Sequence, residues 1–163
     1  MKLSGIDGII IDWYGLEDFR DYKLLHRNTA LAMELAGEYG LQVAICYEDQ
    51  TVPILVEAKR LAPQNRVSHV AQELHWLNDQ WFQQENYLKL DNLPVLLSFG
   101  QTGLSSTEWG RVIQELKTDV LYLSQHHRRP VAVGAFDWPI PSEGVRRQAA
   151  FNRESSRWKY AIP

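Results

Sequence analysis

The sequence predicts an α/β fold that forms part of a (β/α)8 TIM barrel, with about five parallel strands alternating with helices. Short apolar runs alternate with stretches of helical periodicity over 163 residues, which favours a parallel sheet with right-handed crossovers. No glycine-rich phosphate loop follows the first run, although a doubly wound fold usually has one. A complete barrel needs eight strands and about 250 residues, so this chain is expected to be a segment of one.

The predicted strands are short apolar runs that end in polar or turn-forming residues, at 8–14, 42–51, 94–100, 119–125 and 131–137. Apolar residues at helical spacing predict helices at 24–39, 53–61, 65–84 and 107–117, and the polar tail after Glu143 begins another. The stretch 126–130 is too short to carry a crossover helix. Either that connection is abbreviated or the strands on its two sides are not neighbours.

Composition indicates a globular domain and excludes several classes of partner. The chain is 45% hydrophobic with a net charge of −3, which favours neither nucleic acid nor an anionic membrane surface. No apolar run approaches the roughly 20 residues of a membrane helix. The single cysteine, Cys46, cannot form an internal disulfide. No signal peptide is visible and no compartment is assigned, since the true N-terminus is not necessarily present.

The run at 42–51 delivers two adjacent carboxylates, Glu48 and Asp49, at the end of a predicted buried strand. Because side chains alternate along a strand, Cys46 and Glu48 should face the barrel lumen while Ile45 faces a helix. Glu48 would then stand at the carboxyl end of its strand, where α/β folds place active sites. The alternative is that both carboxylates simply begin a solvated loop.

Asp12 ends the first predicted strand in the same way, and it either joins Glu48 in a reacting pair or orients its own loop through backbone hydrogen bonds. Two carboxyl groups that lie close together are suited to general acid and base chemistry. A carboxyl pair of this kind should raise the pKa of one member. Asp12 and Glu48 are therefore the candidate catalytic residues. The favoured alternative is that they bind a ligand without reacting, with Glu48 as a group that binds hydroxyls or stabilises charge.

Histidines supply a second set of candidates. His126 and His127 follow the fourth strand and would relay protons or bind hydroxyl groups of a ligand, unless they merely form a basic turn with the two arginines that follow. His69 and His75 are six residues apart, which is not one face of a helix. Cys46, His126 and Asp137 lack the spacing of a zinc motif, so no metal and no cofactor are assigned.

Four pieces of the sequence, in this order, resemble glycoside hydrolases of the family 71 and family 99-like group, which are (β/α)8 barrels. The pieces are residues 5–15 (GIDGIIIDWYG), 39–49 (YGLQVAICYED), 87–88 with 93–97 (YL and LPVLL), and 134–138 (GAFDW). Each piece alone is a generic barrel strand with its loop, and their order and spacing carry the resemblance. It spans most of the chain.

The resemblance implies that Trp13, Tyr14 and Glu48 line a sugar cleft at the carboxyl ends of the strands. Further substrate-binding candidates are the polar and aromatic residues at the other strand ends, namely Tyr47, Asp49, Gln101, His126, Asp137 and Trp138. The group's catalytic glutamates resemble a Trp-x-x-x-Glu-Gly stretch on a late strand, which this sequence does not contain. The chain is therefore expected to be a single barrel segment that lacks the first strand and the last strands.

The expected function is that of a glycoside hydrolase-like protein that acts on or binds a polysaccharide or glycan. The alternative is a half-barrel without catalytic activity that binds carbohydrate or associates with itself. Open sheet edges are normally covered in native proteins, so a complete chain of this kind should form a homodimer through them. A third possibility is that the sequence is a fragment of a longer enzyme and has no independent function.

Overall fold

A computed structural model describes residues 2–100, 102–138 and 144–163 of the chain. Its strands, in chain order, are β1 (Gly8–Trp13), β2 (Gln42–Glu48), β3 (Lys89–Leu90), β4 (Leu93–Phe99), β5 (Leu121–Gln125), β6 (Gly134–Phe136) and β7 (Tyr160–Ile162). Its α-helices are α1 (Tyr22–Glu38), α2 (Thr51–Glu57), α3 (Arg66–Gln80), α4 (Ser106–Glu115) and α5 (Gly144–Ser155). None of the helices in the described ranges combines the length and the apolar character that crossing a bilayer would need.

Six of the strands form one curled parallel sheet in the order β1-β2-β4-β5-β6-β7, and the two-residue β3 pairs antiparallel with β4. Each parallel strand is added beside its predecessor, which is the order of a barrel wall and not of a doubly wound sheet, where the order reverses. The predicted fold class, a partial TIM-like barrel, is confirmed. The sheet has six parallel strands where the sequence predicts about five.

Two connections near the C-terminus differ from an ordinary barrel unit. β5 and β6 are parallel neighbours, with Leu123 opposite Gly134, although no helix lies between them. The connection is therefore abbreviated, which is one of the two alternatives that the sequence leaves open. β7 lies beyond α5 and pairs with β6, but the sequence does not reveal it, because three residues give too short an apolar pattern.

The sheet separates two apolar layers. Val43, Ile45 and Tyr47 of β2 belong to the layer beneath the helices. Ala44 and Cys46, which alternate with them, belong to the lumen layer together with apolar side chains of β4, β5 and β6. The predicted alternation of β2 is correct, and the lumen is a packed core that leaves the strand ends as the place for a site.

Candidate functional site

The carboxyl ends of β1 and β2 bring two acidic side chains to the same face of the sheet. Asp12 lies opposite Cys46 in the parallel register, and Glu48 is two residues beyond Cys46 on its face. Ile11 and Trp13, the neighbours of Asp12, pack beneath the helices, so Asp12 is on the lumen side. From strand spacing alone, the Cα atoms of Asp12 and Glu48 are about 8 Å apart.

Burial gives Glu48 the properties of a group that exchanges protons near neutral pH. Its side chain is almost fully buried, with 6% of the residue exposed. Burial first, and the negative charge of Asp12 second, raise the pKa of Glu48 to about 7. The backbone N–H of Gln50 donates to Glu48 Oε1 at 3.1 Å and opposes part of this rise.

Asp12 is partly buried and interacts with Tyr14 in the following loop. Burial raises the pKa of Asp12 to about 6, and a hydrogen bond from Tyr14 lowers it in part. Its Oδ1 atom is buried and has no hydrogen-bond partner among the described residues. Burial, followed by the charges of Asp12 and Glu48, raises the pKa of Tyr14 to about 12, so this phenol remains a donor.

The loop that follows β1 is held from behind by a buried glutamate on α3. Glu73 Oε1 accepts a hydrogen bond from the backbone N–H of Leu16 at 2.6 Å, and Glu73 Oε2 accepts one from the Tyr47 hydroxyl at 2.5 Å. Gly15 has a φ of +89° and passes so close to Glu73 that a Cβ there would lie 2.4 Å from Oε1. Glu73 thus fixes the chain that carries Tyr14.

Sequence reasoning does not single out Glu73. Its signal is a charged residue on the apolar stripe of a helix, since Val70, Leu74 and Leu77 are buried on the same side of α3. A buried charge of this kind needs partners, and here they come from β2 and from the loop after β1.

A second group of predicted residues meets at the ends of β5 and β6. His126 Nδ1 and Asp137 Oδ1 are 3.0 Å apart. Trp138 is 39% exposed and packs edge-on against Phe99, with ring centroids 5.2 Å apart. Gln125 Oε1 accepts a hydrogen bond from the N–H of Gly100 at 3.0 Å and joins the ends of β5 and β4. Gln101, also predicted to contact a ligand, lies outside the described residues.

Two aromatic residues predicted to contact the sugar lie on the opposite face of the sheet. Trp13 is fully buried under the helices, stacks on Trp76 with ring centroids 5.9 Å apart, and donates its indole N–H to His26 at 3.2 Å. Tyr47 is also fully buried and bonds to Glu73. Odd and even positions of a strand face opposite ways, so neither ring offers a surface to a ligand in the lumen.

Asp49 is a buried carboxylate whose hydrogen bonds hold neighbouring loops in place. Its Oδ2 accepts hydrogen bonds from Trp109 Nε1 at 2.7 Å and from the Leu104 N–H at 3.2 Å. Arg129, also buried, donates to the carbonyls of Leu104 and Gly100. Together these bonds fasten the loop after β4 to the loop after β5, and they leave Asp49 without access to the cleft.

The described residues contain no cluster of three or more histidine, cysteine, aspartate or glutamate side chains that could hold a metal ion. Cys46 is fully buried in the lumen layer, and burial raises the pKa of its thiol well above the ordinary value. It packs as a small apolar residue.

Fold and site together define a partial (β/α) barrel with protonatable carboxyl groups at the carboxyl ends of its first two strands. No family model matches the sequence, and no curated protein matches it. The chain is similar to a solved structure described as a glycoside hydrolase-like protein, with a TM-score of 0.63 and 14% sequence identity. The match covers 93% of this chain and 52% of that chain, so this chain spans about half of its length. At this identity the likeness establishes a glycosidase-like fold.

Proposed function

We propose that this chain binds a polysaccharide or glycan in the cleft at the carboxyl ends of its strands, as part of a glycoside hydrolase-like protein. The observation that carries the proposal is the pair formed by Glu48 and Asp12 on the lumen face of adjacent strands. We also propose that this chain is related to glycoside hydrolases of the family 71 and family 99-like group. This relation is supported by the order of the sequence pieces that resemble that group.

The two carboxyl groups differ in protonation at neutral pH, which suits cleavage of a glycosidic bond. With a pKa of about 7, Glu48 carries a proton about half of the time and is suited to donate it to the glycosidic oxygen. Asp12, with a pKa of about 6, is mostly ionised and is suited to stabilise positive charge on the sugar or to activate water. The same pair binds sugar hydroxyls where no cleavage follows.

Replacing Glu48 with glutamine tests the proposal, because the amide keeps the shape of the side chain and removes the transferable proton. Glu48→Gln should weaken retention by soluble starch, laminarin, xylan or galactomannan in native affinity gels by about tenfold or more, since hydrogen bonds to charged groups contribute about 1.5–3 kcal/mol. Any release of reducing ends should disappear. Glu38→Gln, at an exposed position of α1, is the matched control and should behave like the wild type.

Circular dichroism of Glu48→Gln separates a site defect from a folding defect. An unchanged spectrum with lost retention supports the assignment of Glu48 to the site. If Glu48→Gln fails to fold, or if it retains every polysaccharide as the wild type does, Glu48 is not a functional group of the cleft.

A second candidate function is self-association, and the edges of the sheet favour it. Among the described residues no strand pairs with the outer side of β1 or of β7. Helix α1, which packs on β1 and β2, also presents exposed leucines to solvent. Unpaired strand edges beside apolar surface favour pairing with another chain, and here we propose a second copy as a homodimer partner.

A further inference from the structure

One contact between helix α1 and the rest of the fold is a histidine that lies among three tryptophan rings. His26, in the second turn of α1, has its ring centroid 6.0 Å from Trp13, 5.0 Å from Trp76 and 5.5 Å from Trp81. Trp13 ends β1, Trp76 belongs to α3, and Trp81 directly follows α3. The three tryptophan rings also contact one another. This tryptophan cage therefore joins α1 to β1 and to α3.

A hydrogen bond inside the tryptophan cage determines which ring nitrogen of His26 carries the proton. The indole N–H of Trp13 donates to His26 Nδ1 at 3.2 Å. An indole nitrogen only donates, so Nδ1 must hold a lone pair, and the proton of the neutral imidazole lies on Nε2. An imidazolium donates from both nitrogens and has no lone pair to accept this bond. The contact with Trp13 therefore exists only while His26 is neutral.

The surroundings of His26 also favour its neutral form. Trp13 and Trp81 are almost fully buried, and burial lowers the pKa of His26 from its ordinary value of 6.5. No charged group among the described residues contributes to this change. A charged imidazolium is attracted to aromatic faces such as that of Trp81, but this attraction does not relieve two N–H groups that point at each other.

The nearest titratable side chains on the elements around the tryptophan cage contact other groups or solvent. They are, with their contacts in parentheses, Asp12 (Tyr14), Tyr22 (Tyr14), Lys23 (Asp18), Arg27 (solvent), Glu73 (Leu16 and Tyr47), His75 (the Glu115 carbonyl) and Asp79 (Asn78). A proton added to His26 would therefore place a charge in the tryptophan cage without an anionic partner.

We infer that His26 is an acid-sensitive switch, whose protonation breaks the hydrogen bond from Trp13 and releases α1 from the tryptophan cage. Trp13 lies between Asp12 and Tyr14 in the chain, so release of α1 also loosens the end of β1 that carries the candidate site. The inference concerns the response of the fold to pH, and it does not depend on the proposed function.

The pH range of the switch lies below the ordinary pKa of histidine. Because folding lowers the pKa of His26, its neutral form stabilises the contact fully above pH 6.5, and that contribution is lost as the pH falls through the lower pKa of the folded chain. Folding raises the pKa of Glu48, so its contribution changes with pH in the opposite direction. The two effects are therefore distinguishable by their direction.

Nitrogen-15 NMR of the imidazole rings tests the tautomer in the wild type and needs no variant. At pH 8 His26 should show a protonated Nε2 and an unprotonated Nδ1. The indole N–H resonance of Trp13 should move together with the His26 resonances as the pH is lowered, with a midpoint below pH 6.5. A protonated Nδ1 in His26 at pH 8, or a Trp13 resonance that does not follow His26, overturns the inference.

Amide hydrogen exchange of α1 tests the release itself. After correction for the intrinsic rate, the amides of α1 should exchange at least about fivefold faster at pH 4.5 than at pH 7.5, the factor for one buried donor left without an acceptor. His26→Gln, whose side-chain carbonyl accepts the Trp13 N–H and does not titrate, should abolish this difference. His127→Gln removes an exposed histidine as the matched control and should behave like the wild type. Equal protection of α1 at both pH values in the wild type, or an unchanged difference in His26→Gln, overturns the inference.

Discussion

Glu48 links the stability of the fold to pH, because its carboxyl group is buried more favourably when it is protonated. Its pKa is about 7 in the folded chain and 4.5 as the reference for the unfolded chain. A group whose pKa is raised by folding stabilises the fold fully below its unfolded pKa. That contribution is lost as the pH rises through the folded pKa.

We therefore expect the free energy of unfolding to fall between pH 5 and pH 8, and Glu48 to account for ~2 kcal/mol of the fall. Urea unfolding of the wild type and of Glu48→Gln at the two pH values measures this share. The free energy of unfolding of the variant should decrease less over this pH range. The part of the decrease that is due to Asp12 and Asp49, whose pKa values are raised to about 6, should remain. An equal fall in both proteins would contradict the burial of a protonatable Glu48.

The loop that follows β1 and carries Tyr14 depends on Gly15 for its conformation. Gly15 combines a φ of +89° with a close approach to Glu73, whose carboxylate is already engaged by Leu16 and Tyr47. Gly15→Ala should cost about 2 kcal/mol or more of unfolding free energy, because the new Cβ meets both a disfavoured φ and an occupied space. Thermal or urea unfolding measures this cost.

Gly110 is the matched control for Gly15. It lies inside α4, and a Cβ there would meet nothing within 4 Å. Gly110→Ala should stabilise the protein by roughly 0.5–1 kcal/mol through higher helix propensity. Equal effects at the two positions would show that the Glu73 contact does not hold the loop after β1.

The sequence predicts the elements of this fold well where burial is periodic, and the site less well. The strands β1, β2 and β4 are evident as apolar runs, and the alternation within β2 correctly separates Cys46 from Ile45. The same alternation places Trp13 and Tyr47 on the helix side. Trp13 is a candidate because of the family resemblance, and Tyr47 is one because it lies near the end of its strand. Aromatic character does not tell which face a residue occupies; only position along the strand does.

Asp49 and Glu73 show why sequence patterns do not identify hydrogen-bond partners that are distant in the chain. Asp49 is adjacent to Glu48, yet it is buried against Trp109, sixty residues away. Glu73 bonds to Leu16, which is fifty-seven residues away. The patterns that reveal helices and strands act over a few residues, so they predict that a buried charge needs a partner but not which residue provides it.

At the scale of the whole molecule, the six parallel strands form an open arc with β1 and β7 at its two ends. A closed barrel pairs every strand on both sides, whereas an arc leaves hydrogen-bonding groups and apolar side chains at its margins. Ile10 of β1 is 40% exposed on the lumen face, which agrees with an uncovered margin. The glycosidase-like fold is thus present, and among the described residues β1 and β7 each pair on one side only.

Helix α1 beside that edge provides the test of the homodimer. Leu31 and Leu35 lie one turn apart on its outer face and are 53% and 43% exposed. Sedimentation velocity should show concentration-dependent association of the wild type. The double variant Leu31→Lys, Leu35→Lys should be more monomeric, because a dimer interface at this helix would bury the two added charges. Glu57→Lys, which changes the net charge equally at an exposed position of α2, should leave association unchanged. A wild type that stays monomeric at every concentration would rule out pairing through this edge, and the carbohydrate cleft would then be the remaining function to test.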